Sequence, residues 1–402
     1  MNFDTLKQLV RESQSKIVYL VMDGLGGLPQ EKGGLTELES ARTPHLDDLA
    51  LRGICGLHQP VGPGLTPGSG PAHLGLFGYD PLTYQVGRGV LAALGINFEL
   101  QHGDLVARGN FCSIDEKGRV TDRRAGRIAT EKNKELCAKL RKEIDIPEVE
   151  VFVETVKDYR FLLALRGKEF SEAIHDTDPQ QTGALPLTPK AIKKEAESTL
   201  PVIEEFIKQA REILKDEHPA NMALLRGFSI LPDWPKMQEV FGINPAAIAA
   251  YPMYRGVAKL IGMQVINCGQ KIEDELEALK SSWEDHDFFY LHIKPIDSAG
   301  EDGDFERKME LIEKVDSLIP EIQECNPDVI VVTGDHSTPA VLRSHSWHPV
   351  PLLIWSKYCR PDNVERFAEN ACIAGALGPS LPAVQIMPIA LANALRLDKY
   401  GA

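Results

Sequence analysis

Apolar runs that end in an acid constrain this chain more than any other feature. Lys16-Ile17-Val18-Tyr19-Leu20-Val21-Met22-Asp23-Gly24 is rich in β-branched and large apolar residues and closes on a carboxylate and a glycine. A run of that kind predicts a buried parallel strand with Asp23 at its carboxyl end. The design recurs near the C-terminus. Asp287 to Ile293 leads to Asp297, Val329 to Thr333 leads to Asp335 and His336, and Val350 to Trp355 is another apolar run. Helical segments lie between them, for example Phe305 to Gln323. Alternating strands and helices predict an α/β fold with a mostly parallel sheet flanked by helices. In such sheets ligands bind beyond the carboxyl ends of the strands, where these acids and histidines fall.

The middle of the chain reads differently. Short apolar stretches rich in arginine alternate from about Gly95 to Gly167, Asp176 to Thr188 has the glycines and prolines of a loop, and Pro189 to Lys215 predicts a long helix. With 402 residues there is room for two domains. The expected division is a discontinuous core, 1–90 and 190–402, interrupted by a smaller inserted α+β domain at 91–189.

A net charge of −14 argues against a nucleic-acid partner, which would call for a basic excess. It leaves room for a small anionic substrate held by a local arginine cluster. The seven cysteines are scattered without a Cys-x-x-Cys pair, the pattern of reduced thiols in a cytoplasmic protein. No apolar run reaches the ~20 residues that span a bilayer, and the N-terminus lacks the pattern of a signal peptide, so no membrane partner is expected. A homo-oligomer is compatible with all of this.

The residues that carry chemistry are Asp23, Ser69, Asp297, Glu301, Asp335, His336 and His345. One Asp-Gly or Asp-His is an ordinary turn or cap. Several strand-end carboxylates close together would repel one another unless cations sat between them. Oxygen-rich sets with one or two imidazoles suit Mn²⁺, Mg²⁺ or Zn²⁺. In Gly64-Leu65-Thr66-Pro67-Gly68-Ser69-Gly70-Pro71-Ala72 the serine falls on a tight loop beside a helix start, in positive field. Serine alone is a poor nucleophile, and a metal at its oxygen would activate it. No Gly-x-Ser-x-Gly motif is present.

Val21-Met22-Asp23-Gly24-Leu25-Gly26-Gly27, Ala41 to Ala50 (Ala-Arg-Thr-Pro-His-Leu-Asp-Asp-Leu-Ala), Pro67 to Leu74, Thr333 to Pro339 (Thr-Gly-Asp-His-Ser-Thr-Pro) and His345 to Pro351 (His-Ser-Trp-His-Pro-Val-Pro) together resemble the signatures of the alkaline phosphatase superfamily. Within it the chain looks most similar to cofactor-independent phosphoglycerate mutases of the archaeal type. Phe77-Gly78-Tyr79-Asp80-Pro81, Asp122 to Arg127 and Asp176-Thr177-Asp178-Pro179 resemble that branch. The resemblance implies an alkaline-phosphatase-like core and two divalent metal ions. Asp23, Ser69, Asp335 and His336 match the ligands of the ion that activates the nucleophile. Asp297, Glu301 and His345 match those of the other, with His348 a lesser substitute. The family pattern carries His where this chain has Glu301. A carboxylate there would make the site harder and favour Mn²⁺ or Mg²⁺ over Zn²⁺.

The resemblance further implies a phosphorylated small-molecule substrate, 3-phosphoglycerate or 2-phosphoglycerate, and a phosphoserine at Ser69, with no 2,3-bisphosphoglycerate required. Arginine is the usual partner of carboxylates and phosphates. Arg108, Arg123, Arg124, Arg127 and Arg160 are candidates for holding the substrate, with Asp122 and Asp158 as acceptors for its hydroxyls. Arg226, Arg255 and Lys294 are weaker candidates. The inserted domain would keep glycerate from water while it reorients. The alternatives are another phosphoryl transferase on the same core, such as a homoserine kinase-like enzyme or a phosphomonoesterase, or a non-catalytic metal-binding protein. No Walker-type Gly-x-x-x-x-Gly-Lys loop supports ATP use.

Overall fold

A computed structural model describes residues 2–401. They form two compact units, one of residues 2–85 and 234–401, the other of residues 86–233.

The first unit is built on an eight-stranded sheet. From edge to edge its strands are Gly378–Pro382, Ile54–Gln59, Val350–Ser356, Val329–Thr333, Ile17–Met22, Phe288–Ile293, Pro245–Ala249 and Gln264–Ile266. Only Val350–Ser356 runs against its neighbours. Every residue of Ile17–Met22, Phe288–Ile293 and Val329–Thr333 is buried. That is what a strand covered on both faces demands, and it explains their apolar character, broken only by His292 and Thr333. Each large apolar side chain withdrawn from water contributes about 1.5–3 kcal/mol. Register then places the site. Val21 lies opposite both His292 and Thr333, so three adjacent strands end level and deliver Asp23, Lys294 and Asp335 to one edge. Gly24 completes that edge with φ +69°, and a Cβ there would come within 2.7 Å of the Thr338 hydroxyl and 2.9 Å of Asp297. The chain can turn so close to the carboxylates only without a side chain.

The expected helix from Phe305 to Gln323 is two helices, Phe305–Asp316 and Ile319–Glu324. Pro320 has no N–H to continue a helix but is tolerated in a first turn, so the chain restarts there. No helix among the described residues is long and apolar enough to cross a membrane.

Helix Ile272–Ser281 buries Glu275, which is 3% exposed. Its Oε2 has no hydrogen-bond partner, and burial pushes its carboxyl up to about 9 from the ordinary 4.5. Between those values the folded protein holds a proton that the unfolded chain has released. Stability therefore falls as pH rises through that window. Glu275→Gln removes the titration and keeps an acceptor. We expect it to raise stability near pH 8 by about 1–3 kcal/mol, and to do little near pH 5. Urea unfolding at the two pH values checks this; no gain near pH 8 contradicts it.

The second unit holds a five-stranded antiparallel sheet of Leu105–Ile114, Val120–Asp122, Glu150–Lys157, Arg160–Arg166 and Met222–Ser229. Helices Thr130–Glu143 and Leu200–Leu214 bury Leu136, Leu140, Ile203 and Phe206 in the same core as Leu105, Phe111 and Leu163. The expected border at 189 needs correcting. Met222–Ser229 pairs along Leu105–Ile114, and the helix before it packs in this core, so residues 190–233 belong with the second unit. The helix expected from Pro189 begins only at Leu200, with Pro201 in its first turn. A pairing between segments about a hundred residues apart leaves no local mark in the sequence.

Candidate active site

Ser69 is the first residue of helix Ser69–Leu76, with Gly68 as an extended N-cap. The helix start puts the hydroxyl in a field that favours negative charge. Ser69 Oγ lies 3.4 Å from His336 Nε2. The same nitrogen is 3.4 Å from Asp23 Oδ1 and 3.2 Å from Asp335 Oδ2. Asp23, Asp335 and His336 thus form one group able to hold a metal ion, and all three are fully buried.

His336 belongs equally to a second group, with Asp297 and His345. The His336 and His345 rings stack with centroids 3.6 Å apart. His345 Nδ1 is 2.9 Å from the Pro67 carbonyl, which accepts only from N–H. That fixes the tautomer and turns Nε2 towards Asp297, 3.7 Å away.

The second group differs from expectation at Glu301. This residue is exposed in the last turn of helix Pro295–Asp302 and stands outside both groups; the shared imidazole of His336 stands beside Asp297 instead. Its charge still reaches Lys294. His348 also lies outside, bonded through Nδ1 to Ser346 Oγ at 3.0 Å.

Both Asp23 oxygens and Asp335 Oδ2 are buried without a well-formed hydrogen bond. Burial would push the Asp23 carboxyl up, but the Lys294 ammonium and the His292 and His336 imidazoles hold it well below the usual range. Buried, ionised and underbonded carboxylates call for a cation. The donor set of two carboxylates, an imidazole and a hydroxyl fits a divalent metal. Lys294 already answers part of that need. Its ammonium pairs with Asp297 and lies 3.4 Å from Asp23, joining one carboxylate of each group.

Behind the carboxylates stand two imidazoles that the sequence did not single out. His73 Nδ1 is 3.2 Å from Asp335 Oδ2 and 2.8 Å from the Ser69 carbonyl, and His292 Nε2 is 3.2 Å from Asp23 Oδ2. His73 lies one helical turn after Ser69, and His292 two residues before Lys294 on its strand. Those positions were the only available signal.

In the second unit Arg108 lies directly opposite Arg226 across the sheet, and Arg160 pairs with Asn110 on the same face. Arg88, first residue of helix Arg88–Gly95, joins them; burial and the charges of Arg226 and Arg160 hold its guanidinium below the usual range, against the pull of Asp176 and Asp178. Arginines packed this closely suit an anion. Sequence reasoning missed Arg88 because a lone arginine at a helix start carries no pattern. Arg123 is otherwise engaged, donating from Nε and Nη2 to Asp178 at 2.9 and 2.7 Å. Asp122 serves its own turn, accepting from the backbone N–H of Arg124 and Gly126 at 2.8 and 2.6 Å, one on each oxygen. Arg124 and Arg127 are exposed on that turn and make no ion pair among the described residues. Asp158 lies in a tight turn at φ +51°, 4.0 Å from Arg160.

An α/β core that gathers carboxylates, imidazoles and a serine at a helix start beyond its strand ends has the architecture of a group-transfer enzyme. Comparison with known proteins makes this particular. The family model for 2,3-bisphosphoglycerate-independent phosphoglycerate mutase matches residues 50–221. A Thermus thermophilus protein named as a probable enzyme of that kind is 51% identical, covering 100% of this chain and 99% of its own. An Aquifex aeolicus protein of the same name is 50% identical over 99% of this chain and 100% of its own. Among solved structures, a Pyrococcus horikoshii protein aligns with TM-score 0.84 at 30% identity, over 96% of this chain and 99% of its own. The cofactor-independent phosphoglycerate mutase of Thermoplasma acidophilum aligns with TM-score 0.70 at 28% identity, over 95% and 100%. The chain belongs to the family of 2,3-bisphosphoglycerate-independent phosphoglycerate mutases.

Proposed function

We infer that this protein interconverts 3-phosphoglycerate and 2-phosphoglycerate, a glycolytic step, without 2,3-bisphosphoglycerate, and that Ser69 carries the phosphoryl group between the two positions. The observation that carries the reading is the convergence of Asp23, Asp335 and Ser69 on one imidazole, in a chain half identical to proteins named for that activity. In the first half-reaction Ser69 Oγ bonds to phosphorus as the bond from phosphorus to the glycerate oxygen breaks. In the second, the other glycerate hydroxyl attacks phosphorus and Ser69 is released. The phosphoryl group returns to the same glycerate, so no second phosphate donor is needed.

Two divalent ions fit the two residue groups. When bound they lower the pKa of the serine hydroxyl and neutralise the phosphoryl oxygens. Asp23, Asp335, His336 and Ser69 form the harder set, suited to Mn²⁺ or Mg²⁺. Asp297 and His345 form the other set, since the one free nitrogen of His336 faces the first; its imidazole also admits Zn²⁺. In this reading Glu301 supplies charge beside Lys294 and is not a ligand. Seven free cysteines and a substrate of central carbon metabolism fit a cytoplasmic enzyme.

The arginine face of the second unit supports a role in holding the substrate's anionic end. Arg88→Ala and Arg160→Ala should each raise KM and also lower kcat, for a loss of about 10–100-fold in kcat/KM, because a misplaced substrate reacts slowly as well as binding weakly. Unchanged kinetics in both would make the face a solvated surface. The function itself is tested by phosphorus NMR of 3-phosphoglycerate incubated with chelated and Mn²⁺-restored protein. Conversion to 2-phosphoglycerate only after restoration supports the reading. No conversion, or conversion only with added 2,3-bisphosphoglycerate, overturns it.

A further inference from the structure

Thr338 joins the two residue groups by a route that no ligand assignment covers. Its side chain is fully buried. Its hydroxyl donates to Asp297 Oδ1 at 2.6 Å and lies 3.0 Å from His336 Nδ1. A hydroxyl has one proton to give and lone pairs to accept with, whereas an ionised carboxylate only accepts. The proton therefore goes to Asp297, and the contact with His336 is good only if Nδ1 carries the N–H. That leaves the lone pair of His336 on Nε2, the nitrogen that faces Ser69, Asp23 and Asp335.

The residue is firmly seated. Its backbone N–H donates to the carbonyls of Gly26 at 3.0 Å and Gly24 at 3.3 Å. Its carbonyl accepts from Lys308 Nζ at 2.9 Å, and the same ammonium donates to Gly26 at 3.0 Å. Lys308 is fully buried beside Glu37, 3.8 Å away. The loop after strand Ile17–Met22 and the loop after strand Val329–Thr333 are thus tied together at Thr338. Its hydroxyl is directed by backbone and not by a flexible stem.

We propose that Thr338 is a positioning residue that couples the two metal groups, by fixing the tautomer of His336, whose one lone pair then serves the ion at Asp23 and Asp335, while orienting Asp297, the carboxylate of the other group. The proposal rests on the two-metal reading above. Partners of this kind are worth about 10–100-fold in metal affinity when removed. Because Thr338 touches Asp297 and His336 together, its loss weakens both binding steps, whereas a contact serving one group would weaken one.

The test is calorimetric titration of chelator-stripped protein with Mn²⁺, for wild type, Thr338→Ser and Thr338→Val, beside the unfolding midpoint of each metal-free protein. Two Mn²⁺ per chain in wild type, affinities close to these in Thr338→Ser, and a loss of about 10–100-fold at both steps in Thr338→Val support the proposal. Two Mn²⁺ bound with wild-type affinities by Thr338→Val overturn it and leave the two-metal reading standing, as does a weakening equally large in Thr338→Ser, where the hydroxyl is kept. A drop confined to the unfolding midpoint would show a packing role only and also overturns it. Wild-type protein that binds no Mn²⁺ removes the two-metal reading itself.

Discussion

Ser69→Ala should lower mutase turnover by about 10³-fold or more while leaving the fold intact, because no other hydroxyl is offered to phosphorus in this account. The structural cost is small. The Ser69 side chain has one polar contact, to His336, and the Ser69 carbonyl that meets His73 is kept in the variant. Alanine also suits the first turn of a helix. Steady-state kinetics beside circular dichroism check the pair of outcomes. A variant that folds normally and retains more than a few per cent of turnover would remove Ser69 from the chemistry.

Asp335→Asn should separate activity from stability. Its Oδ2 is fully buried, shares the His336 nitrogen with Asp23, and sits beside His73. Burial and the nearby Asp23 charge both oppose its ionisation, and His336 and His73 overcome them. A carboxyl held below its ordinary range is net favoured in its charged form, so neutralising it costs the metal-free fold some stability. The neutral amide keeps the size and the acceptor that meets the Gly24 N–H at 3.2 Å. Turnover should fall by about 10³-fold, since a ligand of the nucleophile's ion is lost. The chelated variant should still unfold cooperatively, at a modestly lower denaturant concentration than chelated wild type, a loss below about 2 kcal/mol. The reversed pattern, near-normal turnover with a stability loss above about 2 kcal/mol, would make Asp335 a structural carboxylate.

Residues fixed by a local pattern were legible in the sequence, and residues gathered by long-range pairing were not. Asp23, Asp335 and His336 were legible because a buried strand leaves an unbroken apolar run, and the residues just past such a run lie at the sheet edge. Ser69 was legible because the glycines and proline of Gly64 to Gly68 mark a turn just before a helix start. The arginine face was hidden: Arg88, Arg108, Arg160 and Arg226 come from four segments, and only cross-strand register brings them together. Register is set by pairing across the whole unit and leaves no local pattern. Glu301 shows the limit of spacing: a carboxylate one helical turn after Asp297 is a reasonable ligand by spacing alone, but spacing does not report that it ends exposed, outside the group that Asp297 forms with His336 and His345. Asp122 is a similar case, since an acid before Arg-Arg-Ala-Gly-Arg serves its own turn, which the sequence does not separate from a contact with substrate.

Transfer through Ser69 is most directly tested by quenching the enzyme in acid during turnover of 3-phosphoglycerate, digesting it, and mapping the phosphate by mass spectrometry. The account predicts a single phosphopeptide, with the phosphate on Ser69. Phosphate on any other residue, or none while 2-phosphoglycerate accumulates, would contradict it.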